Sequence, residues 1–215
     1  PTGNFGDIFA GYCPRRMGLP VRTLAIATNT NDILSRALAS GRYEVGTVTP
    51  TMSPSMDIQV SSNFERLLFE ALDRDPAALG GLMDGLAQSG SFTIPPQALA
   101  AIREIFVAGR TGEDETAAMI AQTWQRSGYL LDPHSAVGVA VAQSLRDART
   151  PVVTLATAHP AKFPAAVKAA TGIEPALPLW LADLHQRPER FSVLANDQAA
   201  VEAWIRSRTR ILEER

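Results

Sequence analysis

The feature that most constrains this chain is its opening, Pro1-Thr2-Gly3-Asn4-Phe5-Gly6-Asp7, a loop with two glycines set directly against a helical run. Glycine lets the backbone curl so that successive amides point at one spot. A helix beginning straight after adds its own free N–H groups and the positive end of its dipole. Together these features describe a seat for a phosphate or a similar anion. The same pair of glycines is also compatible with a plain turn before a helix. Asp7 argues against a bare anion seat unless its carboxylate caps amides from outside. Such loops ordinarily follow a strand that aims them. None precedes this one, so the expectation is that upstream sequence has been removed.

The rest of the chain alternates helical and strand-like segments. Ile8 to Met17 reads as a short helix stopped by Gly18, with Pro14 in its last turn. Val21 to Ala27 is a largely apolar, β-capable run and predicts a buried strand. Asn31-Asp32 caps a helix to about Ala39, which Gly41 ends. Residues 45–57 are rich in Thr, Ser and Pro and predict a long loop. Ser62-Asn63-Phe64-Glu65 has the form of a capping box, followed by Leu67, Leu68, Ala71 and Leu72 at helical spacing.

Three more helices are predicted to start at Asp75-Pro76, after Pro95-Pro96 and at Glu113-Asp114-Glu115, with Gly90, Gly109 and Gly128 as stops. Residues 62–128 therefore predict a helical insertion or subdomain with no strand. Asp132-Pro133 opens a helix apolar on most faces, hence buried. Pro151 to Thr157 predicts a second strand, and His159-Pro160 a helix towards Ala170 with Gly172 as its stop. An amphipathic tail runs from Ala199 to about Leu212. The order predicts an α/β fold with a partial parallel sheet. Three parts are expected: residues 1–61 (α/β, with the anion loop), 62–128 (helical) and 129–215 (α/β with a helical tail).

Composition narrows the partners. The net charge of −2 gives no general attraction to nucleic acid or to an anionic membrane. No apolar run reaches the roughly 18 residues that span a bilayer. With one cysteine, Cys13, no internal disulfide can form, which fits a reducing cytoplasm. No Cys and His spacing suits a metal.

Three further segments carry polar chemistry. In Leu155-Ala156-Thr157-Ala158-His159-Pro160-Ala161-Lys162-Phe163, small residues and Thr157 stand at the end of a predicted strand, where open α/β sheets place ligands. Thr157 can offer its hydroxyl to a ring nitrogen or simply fill a strand end. His159 reads as a cap and Lys162 as a solvated charge. Ser53 to Arg66 is dense in hydroxyl, amide and charged groups and reads either as a polar loop with a helix cap or as a binding motif. Asp132-Pro133-His134-Ser135-Ala136 reads as a helix cap or as part of a site.

In combination these segments resemble the threonine synthase family. Thr2 to Tyr12 is similar to that family's cofactor-phosphate loop, and Met52 to Arg66 to its middle motif. Asp132 to Gly138 and Thr157 to Phe163 resemble two further blocks, in the family's order. The resemblance implies the C-terminal portion of a fold-type II enzyme, tryptophan synthase β-like in architecture, dependent on pyridoxal 5'-phosphate (PLP). It implies a lyase converting O-phospho-L-homoserine and water to L-threonine and phosphate. Gly3, Asn4, Phe5, Gly6 and Asp7 would then hold the cofactor phosphate, and Thr157 the pyridine nitrogen. The family's Schiff-base lysine lies upstream of the phosphate loop. Lys162 and Lys168, the only two lysines, match no such motif. The chain is therefore expected to lack catalytic residues of its own, to need its N-terminal half as partner, and to self-associate without it. The alternatives are a related phospho-lyase or dehydratase, and a non-catalytic anion-binding module on the same scaffold.

Overall fold

A computed structural model describes residues 1–147 and 149–209. They comprise α1 (Gly6–Arg16), β1 (Leu24–Thr28), α2 (Ile33–Ser40), β2 (Arg42–Glu44), α3 (Phe64–Ala71), α4 (Pro76–Ser89), β3 (Ser91–Thr93), α5 (Pro96–Ile105), β4 (Phe106–Arg110), α6 (Glu113–Ser127), α7 (Pro133–Ser144), α8 (Pro164–Thr171) and α9 (Gln198–Arg206). A short 3₁₀ turn, Pro54–Met56, interrupts the long loop after β2. The chain divides into two compact units, Pro1–Ala176 and Leu177–Arg215. The second contains 3₁₀ turns at Leu179–Leu181 and Leu184–Gln186, and α9, which Asp197 caps through the Ala200 amide at 2.8 Å. The expected tail beyond Thr209 lies outside the described residues.

The fold is α/β. β1 and β4 pair in parallel, with Ile26 opposite Ala108, and β2 and β3 pair antiparallel. β1 is a strand because both requirements meet there. Its residues are β-capable and mostly buried, and β4 supplies a complete ladder. The main core gathers Phe5 and Tyr12 from the first helix region, Ile26 from β1, Leu34 from α2, Phe64 and Leu68 from α3, Ile102 from α5 and Phe106 from β4.

That shared core corrects two expectations. Residues 62–128 contain two strands, β3 and β4, and their helices α3 and α5 pack into the same core as β1 and α2 instead of forming a separate layer. Gly109 is not a helix stop. α5 ends at Ile105, and Gly109 lies within β4, where a Cβ would stand 2.7 Å from Val141 Cγ1. The glycine is needed for the approach of α7, not for a turn.

Local caps are partly as expected. Asp75 accepts from the amides of Ala77 and Ala78 at 2.8 and 3.1 Å, and Gly41, Gly90, Gly128 and Gly172 all end helices at positive φ. The Ser62–Glu65 capping box does not form. Asn63 is the N-cap of α3, and the Ser62 amide and hydroxyl both donate to Asn4 Oδ1 at 3.0 Å. A long-range partner has taken the group that a local cap would use. The helix after His159 is interrupted, with a 3₁₀ turn at Pro160–Lys162 before α8 begins at Pro164.

The largest difference concerns residues 151–157. No strand forms there, and no strand occurs among the described residues after Arg110. Val152, Val153 and Leu155 are exposed, Val153 at 84%. A strand exists only as part of a ladder, and no described strand pairs with this segment. Of the expected α/β part over 129–215, the described residues hold helices and 3₁₀ turns and not the expected strand.

Candidate functional site

In the opening loop the carbonyls of Gly3, Asn4 and Phe5 are occupied, while the amides beyond Thr2 have no acceptor among the described residues. The Thr2 amide donates to the carbonyl of Ala27 at 2.9 Å, anchoring the loop to the C-terminal half of β1. Ser61 Oγ donates to the Gly3 carbonyl at 2.7 Å, and the Asn63 amide donates to the Asn4 carbonyl at 3.2 Å. Phe5 is fully buried, 5.3 Å from the ring of Phe64 and 5.9 Å from that of Phe106. Its φ of 65° is left-handed, costly for a residue with a Cβ by roughly 1–2 kcal/mol. Burial of the ring offsets that cost and holds the backbone curled.

Among the described residues, the N–H groups of Gly3, Asn4, Phe5, Gly6 and Asp7 have no protein acceptor. They lie on one curl at the start of α1, with Asn4, Gly6 and Asp7 exposed. Such a curl of donors at a helix N-terminus suits an anion with several acceptor oxygens, a phosphate above all. Gly3 meets a steric demand as well, because a Cβ there would stand 3.1 Å from both Met56 Cα and the Ser55 carbonyl oxygen. Asp7 lies in the first turn of α1, where a negative charge favours the helix dipole.

The second layer is the loop after β2. Asp57 gathers it. The Asp57 carboxylate accepts from the Thr51 amide at 2.7 Å, Thr51 Oγ1 at 2.6 Å, Asn29 Nδ2 at 2.8 Å and Asn31 Nδ2 at 3.0 Å. Asn29 also donates to Ser53 Oγ at 2.9 Å, and the Thr49 amide donates to Asn31 Oδ1 at 2.8 Å. Asn29 and Asn31 follow β1 directly, so the strand end holds the loop that backs Gly3. In the sequence Asn31 reads as a helix cap and Asn29 has no assigned role. The signal was present as two amides at alternate positions beyond a strand end.

The third layer is the N-terminus of α7. The Asp132 carboxylate accepts from the amides of His134 and Ser135 at 2.9 and 3.3 Å and from the Ser135 hydroxyl. His134 Nδ1 stands 3.1 Å from Asp132 Oδ1, and His134 Nε2 accepts the Ser55 amide at 3.2 Å. Burial alone would push the Asp132 carboxyl up, but the hydrogen bonds from His134 and Ser135 outweigh it and hold it below its ordinary value. The reading of this segment as a cap is correct and incomplete, because the cap also reaches the 54–56 turn.

Thr157 stands apart from these layers. It is exposed and makes no hydrogen bond among the described residues. The stretch before it does approach the loop. A Cβ on Gly138 of α7 would meet Pro1 Cδ at 2.7 Å and Thr154 Cγ2 at 2.9 Å, so both predicted site segments rest on the same point of α7. His159 accepts the Ala161 amide at 3.2 Å, the cap expected of it. Lys162 Nζ lies over the ring of Phe163 at 5.7 Å. Lys168 pairs with Glu174 at 2.8 Å, which raises its pKa.

Comparison with known proteins gives one consistent picture. Residues 135–205 match the family model described as threonine synthase, C-terminal. The chain is 50% identical over 207 residues to a threonine synthase of Pseudomonas aeruginosa, covering 95% of this chain and 44% of that protein. Among solved structures it is similar to a PLP-bound threonine synthase from Brucella melitensis, with 63% identity and a TM-score of 0.89 over 98% of this chain and 45% of that one. It is also similar to a yeast threonine synthase, with 36% identity and a TM-score of 0.84 over 96% of this chain and 46% of the other. The chain thus spans a little under half the length of the relatives it matches. On these matches residues 135–205 carry the C-terminal domain described for threonine synthases, and the chain as a whole is similar to the C-terminal part of such proteins.

Proposed function

We propose that this chain provides the cofactor-phosphate seat of a PLP-dependent threonine synthase. Such an enzyme would convert O-phospho-L-homoserine and water to L-threonine and phosphate. The observation that carries the proposal is the row of unpaired amides from Gly3 to Asp7, on a curl whose carbonyls are already engaged. Bound there, pyridoxal 5'-phosphate supplies an electron sink for carbanions next to the amino group.

In this reading Gly3, Asn4, Phe5 and Gly6 donate to the phosphate oxygens, and Asp7 secures the helix start beside them. Thr157 offers its hydroxyl to the pyridine nitrogen. A neutral hydroxyl there leaves that nitrogen largely unprotonated and moderates the sink. Neither lysine of this chain suits the covalent link to the cofactor. Lys168 is held protonated by Glu174, opposite to the depressed pKa a reactive amine needs. Lys162 is a solvent-side residue beside Phe163. The linking lysine and the substrate-phosphate residues are assigned to the N-terminal part of the relatives. The chain by itself is proposed to be inactive and, with Val152, Val153 and Leu155 exposed, prone to self-association. A cytoplasmic location belongs to the same proposal.

The test is Gly3→Val in the full-length protein. A side chain there collides with Met56 and Ser55 and spoils the curl, so the variant should purify without the cofactor absorbance of the wild type. Wild-type cofactor affinity in the variant would refute the seat.

A further inference from the structure

His134 is buried, its side chain 5% exposed, and none of the proposed chemistry uses it. Its surroundings determine its state. The Ser55 amide can only donate, so His134 Nε2 must present its lone pair. The ring proton therefore sits on Nδ1, which donates to Asp132 Oδ1 at 3.1 Å. Phe163 closes the site with its ring centroid 4.6 Å away. Asp132 is itself held by the Ser135 hydroxyl and by two amides of α7, so the imidazole is clamped in orientation and tautomer.

The residue that His134 holds is the one that touches the loop. Ser55 and Met56 form the turn that approaches Gly3 so closely that a Cβ there would meet Ser55 O and Met56 Cα at 3.1 Å. A chain of close approaches runs from Asp132 through His134 and Ser55 to Gly3, and its last step leaves no room even for a Cβ, so a displaced turn would press on the loop.

We propose that His134 is a positioning residue for the anion loop, seating the 54–56 turn on Gly3 by accepting the Ser55 amide and so fixing the direction of the Gly3–Gly6 amides. The proposal rests on the reading of residues 3–7 as the cofactor-phosphate seat. Without the imidazole, the Ser55 amide loses the acceptor that fixes it to α7, and the turn is free to shift off Gly3. The loop amides would then lose their common aim while the fold remains intact.

The experiment uses the apo form of the full-length protein as wild type, His134→Ala and His134→Gln. Each is titrated calorimetrically with pyridoxal 5'-phosphate and, separately, with inorganic phosphate, which needs only the loop. Glutamine can place an oxygen near the Nε2 position and still accept from Ser55. Alanine should weaken both ligands about tenfold, the loss of roughly one hydrogen bond's worth of alignment. Glutamine should restore most of that loss. The ¹⁵N spectrum of histidine-labelled wild type, with the His134 signals identified by their absence from His134→Gln, should show a neutral ring protonated on Nδ1. Wild-type affinity in His134→Ala, no rescue by glutamine, or a ring protonated on Nε2 would each overturn the proposal while leaving the phosphate seat standing. If His134→Ala does not fold, the glutamine variant and the tautomer decide the matter. A wild-type apo protein that binds neither ligand would overturn the seat itself, and this proposal with it.

Discussion

Two runs in this molecule have nearly the same composition and opposite fates. Leu24-Ala25-Ile26-Ala27-Thr28 is a buried strand, whereas Val152-Val153-Thr154-Leu155-Ala156-Thr157 is unpaired and largely exposed. Both are largely apolar and both end in threonine. β1 has β4 beside it, and the later run has no pairing strand among the described residues. Strand propensity is therefore permission rather than instruction: burial and a ladder convert it into structure. The same contrast divides the candidate site. Its phosphate side is anchored on β1 and braced by the 49–57 loop and α7, while Thr157 lies on a segment with no pairing strand among the described residues.

Ile26→Ala should break the braced side most severely. The side chain is fully buried in β1, and truncation should cost about 2–5 kcal/mol, measured by urea unfolding. A loss under about 1 kcal/mol would mean that β1 is no better supported than the 151–157 run.

Asp132→Asn tests the brace at α7. The Asp132 carboxyl titrates below its ordinary value in the folded chain, so its stabilisation is complete above an unfolded pKa of about 3.9. That contribution disappears as pH falls through the lower folded value. The asparagine variant should lose about 1–3 kcal/mol near neutral pH and show a flatter acid limb in unfolding measured against pH. An unchanged acid limb would remove Asp132 from the brace.

Thr157→Val in the full-length protein keeps shape and removes the hydroxyl. Cofactor should be retained while turnover falls about ten- to thirtyfold, the effect of one lost hydrogen bond on the barrier. Unchanged kcat would reduce Thr157 to a packing residue.

Val153→Ala should have the smallest effect and sharpen the comparison most. In the 215-residue chain the side chain is 84% exposed, and its loss should change stability by less than about 0.5 kcal/mol. In the full-length protein the same change should cost about 1–2 kcal/mol, because a partner strand would cover it. Equal effects in the two contexts would mean that the segment is a loop in both.

Local chemistry was legible without coordinates wherever a few neighbouring residues decide it. The helix starts at Asp75-Pro76 and Asp132-Pro133, the glycine stops at Gly41, Gly90, Gly128 and Gly172, the β1 strand and the curl at Gly3–Gly6 all follow from residue types at short spacing. What sequence could not decide was which distant group would claim a residue. Asn4 takes Ser62 from its expected capping box, Val141 gives Gly109 a packing role in place of a helix stop, and Ser55 draws His134 from a cap into the loop's support. Each of these turns on a contact across many residues, and such contacts are settled by tertiary packing, because a hydrogen-bond donor or a glycine gap has no preferred distant partner until the chain has closed around it.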